Sequence, residues 1–599
     1  MKRKRTPGRS AAAPAPAAAG PRLGSWLLRH PWVFVVLAGL IAFGGALGNR
    51  FTYDDRMVIE EAEPLLRDLP LLSTVLSRDY FLTSHESTYR PVVTLSYALD
   101  YALGGLTPVG YHAQSVLWHL GCALLVYALA RRLLPRAGRG VALVAGLLFA
   151  VHPALTEAID NASFREDPLA TFFTLLALLL ALRNTRAALW GALASYLVAL
   201  FAKESALVMP LLLAGARWSL PAEERDRWDR RAELGGFVAV SLVFVVVRFV
   251  VMTSGPDYGE HPGGTLFATL LGTPPIFARY LRLLVLPWPL CADYSGVFDF
   301  PPRALPLVLS VLALAAYLAL TVWLWRRHRL AAFGLAWFLV ALGPVSNLIA
   351  IPVPAAERFL YLPLAGIALA AAAGAGALAP RVAGRARTLA TLGGLVALIA
   401  LATASNLRHP AWRDNHALWS RTARDFPRSW GAHHGLGVEL KEHGELARAA
   451  AELEQALGSR PTRSARALIV NDLGIVYGMQ GRLDESARML RRALDDAPHA
   501  KTWLNLGITL ARSGDTAGAA AAYQEAIRKN PLYARAHAML ATLRLGQGAL
   551  AEAEAHLEKA ARISPRDPAV QQARDALARA RARAAPPGPG PGPAPPGAP

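Results

Sequence analysis

The chain has 599 residues, 53% of them hydrophobic, yet it carries 63 Lys and Arg against 43 Asp and Glu, a net charge of +20. Apolar spans and basic loops coexist without averaging out in a polytopic membrane protein, so this mixture points to a membrane and needs no nucleic acid. Two cysteines, Cys122 in an apolar segment and Cys291 in a loop, argue against a disulfide framework or a cysteine-held metal cluster.

Residues 1–30 read as a disordered basic leader, opening on Lys2-Arg3-Lys4-Arg5 and continuing Ala/Pro-rich. The apolar run 31–48 is long enough to span and is followed by many others, so it reads as a retained first helix with its N-terminus inside rather than as a cleaved signal. Further spans are expected at 112–134, 141–158, 168–183, 187–202, 204–217, 234–252, 304–325, 331–350, 364–379 and 388–405. Five basic turns orient them: Arg131, Arg132, Arg136 and Arg139; Arg183 and Arg186; Arg217, Arg225, Arg227, Arg230 and Arg231; Arg326, Arg327 and Arg329; Arg381, Arg385 and Arg387. Eleven crossings place all five on the leader's side, provided that 266–290 does not cross. Pro274-Pro275, Pro287-Trp288-Pro289, Arg279 and Arg282 favour a re-entrant or surface-lying helix pair there.

On this topology the loops 50–111, 158–167, 253–303 and 351–363, the junction Lys203-Glu204, and everything after Asn406 lie on the non-cytoplasmic side. Within the first loop, 87–103 mixes apolar and aromatic residues with Tyr89, Arg90 and Asp100 and reads as a helix on the membrane surface. Adjacent carboxylates at Asp54 and Asp55, just past a membrane boundary, are costly unless solvated or used, which makes them a candidate site. Taken alone, the pair is more simply a solvated turn.

The composition changes at Ala411-Trp412-Arg413, where an Ala/Leu/Arg/Glu-rich pattern begins to repeat with a period near 34, the tetratricopeptide (TPR) period. Four units are expected at 430–463, 467–500, 500–533 and 534–567. Each aligns on a Leu-Gly equivalent, a turn Gly, an Ala and a closing Pro, as in Leu473, Gly474, Gly481, Ala493 and Pro498. Residues 411–429 read as a half-repeat docking the array to the last span, 568–584 as a capping helix, and 585–599 as a low-complexity Pro/Gly tail. The fold class is therefore all-α: a membrane helix bundle over 31–410 and a TPR solenoid over 411–584.

Other polar groups assigned to the outer face raise the odds of a site around Asp54-Asp55. They are His152 and Glu157 at the end of one span, Arg165 and Asp167 at the start of the next, Lys203-Glu204, and Glu357-Arg358. Each also has a plain structural reading, as a helix cap for His152 and as buried ion pairs for the rest.

These residues carry a family resemblance. Asp54-Asp55, His152-Pro153-Ala154-Leu155-Thr156-Glu157-Ala158, Arg165-Glu166-Asp167, Lys203-Glu204, Leu286-Pro287-Trp288-Pro289 running on to Asp293-Tyr294-Ser295, Pro344-Val345-Ser346-Asn347-Leu348, Glu357-Arg358-Phe359-Leu360-Tyr361-Leu362-Pro363 and Trp412-Arg413 before the repeats resemble, in order, the TMTC family of transmembrane and TPR-containing O-mannosyltransferases of the GT-C type. The resemblance implies transfer of mannose from a polyprenyl-phosphate donor to Ser or Thr hydroxyls of proteins. Asp54 or Asp55 would be the base, with Asp55 favoured. Arg358 would hold the donor phosphate, with Lys203 and Arg165 as weaker ligands; Glu157, Asp167, Glu204, Glu357 and His152 would support them. Neither a nucleotide cofactor nor a metal is required, although a divalent ion at Asp54-Asp55 stays open.

The chain departs from the family at Ser163-Phe164-Arg165-Glu166-Asp167, which lacks the family's Gly and replaces its Ala with Glu. The Asn ladder of peptide-gripping TPR transferases is here Gly435, Asp472, Asn505 and Met539, so the array is expected to dock a protein partner rather than grip an acceptor backbone. Ala/Arg/Pro bias suggests a bacterial inner membrane with periplasmic repeats. A GT-C transferase or ligase acting on an envelope glycan, and a non-enzymatic TPR scaffold, remain as alternatives.

Overall fold

The computed structural model describes residues 29–67, 72–77, 80–84, 86, 88–221, 230–252, 260–351 and 353–584. The leader through residue 28, the tail 585–599, Ser87, Arg225, Arg227 and Thr253 lie outside the described residues. Among the described residues the fold is entirely helical.

Ten of the eleven expected spans fall on α-helices that differ in reach, whereas 204–217 is a 3-10 turn, Glu204–Val208, leading into the 11-residue helix Met209–Ser219. Pro108–Leu133, Arg231–Val251, Ala304–Arg327, Glu357–Leu378 and Gly384–Trp412 are each long and apolar enough to cross a membrane. Gly138–Val151 and Pro153–Asp160 form a sixth only as a pair bent by 50°. The expected span 141–158 breaks at its His-Pro step, where Pro153 brings no N–H to continue the ladder and the His152 side chain instead accepts from the backbone N–H of Ala154. Trp32–Gly48, Arg186–Ala202 and Arg329–Val345 are shorter apolar helices. Glu166–Ala181 has 16 residues, about 24 Å at 1.5 Å per residue, and so needs its neighbours to complete a crossing.

The segment expected as a helix pair is instead one continuous helix, Leu266–Val285, with Pro274 and Pro275 inside it. Proline's fixed φ is already helical, and burial of Ile276, Phe277, Tyr280 and Leu283 holds the helix together past the missing N–H groups. The expected surface helix is present as Pro91–Gly104, burying Val93, Tyr97 and Asp100 while Leu95, Leu99 and Leu103 face outward. One basic turn is less free than its sequence implies, because Arg217 forms a buried pair with Glu233 at 2.6 Å and donates to Asn184.

The repeat region forms antiparallel helix pairs from Trp430–Glu442 and Leu446–Gly458 through Ala534–Gly546 and Leu550–Ile563, capped by Pro568–Ala584. The intra-unit turn requires a left-handed residue, supplied by Gly481 at φ 81° in the second unit. Gly474 lets the paired helices close up, since a Cβ there would sit 2.9 Å from Leu490.

The two halves are joined by side chains rather than by the connecting chain alone. Trp412 is fully buried with Phe164, Ala292 and Leu418. Just before the boundary, His409 ties the end of the bundle down by bridging the Asp160 carboxylate at 2.7 Å and the Ala42 carbonyl at 2.7 Å. Gly431 donates to Ser295 Oγ at 3.0 Å, and a Cβ at Gly431 would overlap Asp293.

Candidate active site

The loop carrying Asp54 lies between the two halves. Tyr53 adopts φ 56°, its N–H donates to Asn415 Oδ1 at 2.9 Å, and its ring packs between Phe164 and Trp419. Asn161 holds the Thr52 carbonyl at 2.8 Å, and the Arg50 N–H donates to the Arg413 carbonyl at 2.9 Å. Residues from the membrane bundle and from the start of the repeats thus fix one strained turn.

The turn gives its two carboxylates opposite environments. Asp55 is fully buried; Oδ2 accepts from the Thr52 N–H at 2.9 Å and Oδ1 from the Ser163 N–H at 2.6 Å. Burial pushes its pKa up to about 7 against the pull of those N–H groups. Asp54 is half-buried and has neither a side-chain hydrogen bond nor an ion pair among the described residues. Burial raises its pKa to about 6, opposed by Arg358 and reinforced by Glu166 and Glu157. The geometry therefore shifts the favoured base from Asp55, whose oxygens tie down the turn, to Asp54, whose oxygens are free.

Around Asp54 the structure brings together most of the outer-face residues. Arg358 pairs with Glu157 through its guanidinium and through its backbone N–H, the latter at 2.9 Å, and lies 4.0 Å from the centre of the Phe164 ring. Lys203 bonds Asp167 at 2.6 Å and Glu166 at 2.9 Å. Arg90 pairs with Glu166, and with Glu204 at 3.3 Å. Glu357 turns the other way, accepting from the Cys291 N–H and from the Tyr294 hydroxyl.

Arg165 does not join this group. It is 0% exposed, and its guanidinium is consumed by Asp100 and Gln114, both at 2.6 Å, by the Tyr111 carbonyl and by Ser96. It locks the Pro91–Gly104 helix to the bundle, so the expectation that it binds phosphate is corrected. His152 is likewise structural: Nδ1 accepts from the Ala154 N–H and Nε2 donates to the Leu284 carbonyl, each at 3.2 Å. Each Asp55 oxygen accepts one backbone N–H, and among the described residues no group of three or more His, Cys, Asp or Glu side chains is placed to hold a metal ion.

Several known proteins are similar to the chain in sequence. The chain is 27% identical over 487 residues to the mouse protein O-mannosyl-transferase TMTC4, covering 69% of this chain and 64% of that protein. A Caenorhabditis elegans protein O-mannosyl-transferase matches at 26% over 69% of this chain and 60% of its own length. Drosophila melanogaster protein O-mannosyl-transferase Tmtc1 matches at 37%, over 32% of this chain and 23% of its own. The tetratricopeptide repeat model matches residues 434–501, 471–528 and 504–568. The chain is a TPR-containing, TMTC-like protein. It spans just under two thirds of the length of the mouse and worm relatives. Among solved structures, a thermophilic TPR protein of Thermus thermophilus matches with 20% identity and a TM-score of 0.24, over 33% of this chain and 95% of that one.

With its apolar helices, this TMTC-like chain is a membrane protein. Its structure adds residues to the site that sequence reasoning left without a role. Arg90 reads in sequence as one charge on a surface helix, but it is the cation that joins Glu166 to Glu204. Glu86 faces Arg90, and burial lifts its pKa to about 8, with Glu166, Glu204 and Asp54 adding to the rise. Asp293, quoted only as part of a motif, caps Ser295 with both oxygens and sets the platform on which Gly431 docks. Only the pairing of Arg90 with Glu166 across 76 residues reveals these roles, and no local pattern encodes it.

Proposed function

We propose that this protein is a membrane glycosyltransferase that moves a sugar, mannose by likeness to its relatives, from a polyprenyl-phosphate donor to Ser or Thr hydroxyls of proteins on the non-cytoplasmic face. The observation that carries the reading is the Asp54 carboxylate, unpaired among the described residues and facing the Arg358 cation, while both oxygens of its neighbour Asp55 accept backbone N–H groups. A general base needs a free oxygen and a pKa near the working pH, and Asp54 has both.

Asp54 takes the proton of the acceptor hydroxyl as its oxygen attacks the anomeric carbon, and the lipid phosphate leaves with the bonding electrons of the broken C–O bond. Arg358, with Lys203 and Arg90 behind it, offsets the charge that develops on that phosphate. These cations are preorganised by Glu157, Asp167, Glu166 and Glu204. No step in this scheme needs a nucleotide or a metal. The GT-C assignment and the periplasmic placement of the repeats in a bacterial inner membrane belong to the same proposal, supported by the five basic turns on the opposite side. The repeats bring the protein acceptor or a partner to the site, and because their first helices brace the Asp54 turn, they also complete it.

The test is reconstitution of the full chain in a neutral bilayer with a polyprenyl-phosphate mannose and a Ser/Thr-rich protein acceptor, read by mass spectrometry of the acceptor. Hexose on Ser or Thr is the expected result. Transfer to an envelope glycan but to no protein would select the polymer-directed alternative, and no transfer to either would select the scaffold.

A further inference from the structure

The C-terminal end of the Leu266–Val285 helix carries two guanidiniums, Arg279 and Arg282, one turn apart, and neither has a carboxylate within ion-pair distance among the described residues. By contrast Arg90, Lys203, Arg217 and Arg358 are each paired with acids, and Arg408, whose Nε and Nη2 are likewise buried without a partner among the described residues, faces the charge of Glu357. Arg279 lies 5.6 Å from the centres of both the Tyr294 and Phe426 rings, and its Nη2 donates to the Pro289 carbonyl at 2.6 Å; its buried Nε has no partner. The Nη2 of Arg282 is also buried without a partner, and the two like charges repel. A buried charged N–H with no acceptor is costly, whereas one anion accepting from both arginines would repay the cost twice.

The surroundings identify the anion as one attached to a lipid. Immediately beyond Arg282 the chain exposes Val285 (85%), Leu286 (58%) and Trp288 (50%). Arg421, from the first helix after the last span, lies 5.4 Å from the centre of the Trp288 ring. An apolar lip ending in Trp, with cations beside it, is the arrangement found where acyl chains meet headgroups. We infer that Arg279 and Arg282, with the Val285 to Trp288 lip, form a second anion site that takes the phosphate group of a membrane lipid, separate from the Arg358 cluster. The site stands on its own geometry and does not require that the protein transfer a sugar.

Two lipids present this chemistry, a polyprenyl phosphate and a bulk anionic phospholipid. The full chain is placed in phosphatidylcholine nanodiscs doped with either a polyprenyl phosphate or phosphatidylglycerol, and the lipid that co-purifies after ejection is counted by native mass spectrometry. R279Q/R282Q is expected to lower occupancy by the recognised lipid about tenfold, the loss of one charge-assisted contact or more. R282K, which keeps the charge without the planar fork, should retain an intermediate occupancy and covers the case in which the double variant folds poorly. Loss confined to polyprenyl phosphate assigns the site to an isoprenoid lipid, and loss confined to phosphatidylglycerol assigns it to the surrounding bilayer. Wild-type retention of both lipids by R279Q/R282Q, or by R282K and R282Q where the double variant fails, overturns the inference.

Discussion

Changing Asp54 to Asn removes proton acceptance while keeping the side chain's size. Because the Asp54 carboxylate makes no hydrogen bond or ion pair among the described residues and burial holds its pKa up at about 6, D54N should not lower the melting temperature of the purified protein and should raise it at neutral pH, where the buried charge is lost. Loss of a general base should lower the transfer rate by about 10²–10⁴-fold, with donor affinity little altered. The pKa of about 6 adds a signature. The ionised form is the active base, so the rate should rise with pH through 6 and level off above it. At pH 5 only about a tenth of Asp54 is ionised, which sets the rate about tenfold below its plateau. Residual activity of D54N should lose that inflection. D55N should behave in the opposite way. An amide can accept only one of the two backbone N–H groups that now bond the carboxylate, and the stranded donor costs about 1–3 kcal/mol, lowering the melting temperature. The assay is single-turnover transfer to a fluorescent Ser/Thr peptide across pH 4.5 to 8, beside thermal melts of both variants. Full activity in D54N with a preserved inflection, or a collapse of stability in D54N and not in D55N, would refute the division of labour between the two carboxylates.

Arg358→Lys should weaken donor binding while retaining part of it, and Arg358→Ala should also leave Glu157 as an unpaired buried charge, costing about 3–5 kcal/mol, as donor titrations and melts would register. Arg165→Leu should destabilise through the stranded Asp100 by a similar amount, about 3–5 kcal/mol, whereas R165L/D100L should recover much of the loss; unchanged melting of the single variant would contradict its scaffold role. Gly431→Ala drives a Cβ into Asp293 and should cost about 1–3 kcal/mol at the junction of the halves, seen as faster proteolytic release of the repeats together with slower transfer. A C-terminal alkaline phosphatase fusion should be active in a bacterial host, and an inactive fusion with a fluorescent cytoplasmic counterpart would overturn the orientation.

The sequence by itself determined most of the helical elements and the period of the repeats. It could do so because hydrophobic runs and Gly/Pro spacing are local signals, read over one or two turns. It also named most of the residues that meet around Asp54, through the order of its polar segments. What it could not decide was which polar residue does what. Arg165 and Arg358 look alike as charges at helix ends, yet one is saturated by Asp100, Gln114 and the Tyr111 carbonyl and the other stands beside Asp54. Asp54 and Asp55 are neighbours in the chain, and the N–H groups of Thr52 and of Ser163, the latter 108 residues away, separate a structural carboxylate from one with no bond among the described residues. Likewise Pro274-Pro275 reads as a break until packing against the Ala356 segment through Tyr280 shows why the helix continues. Those outcomes rest on desolvation and on partners distant in sequence, and both exist only once the chain is folded.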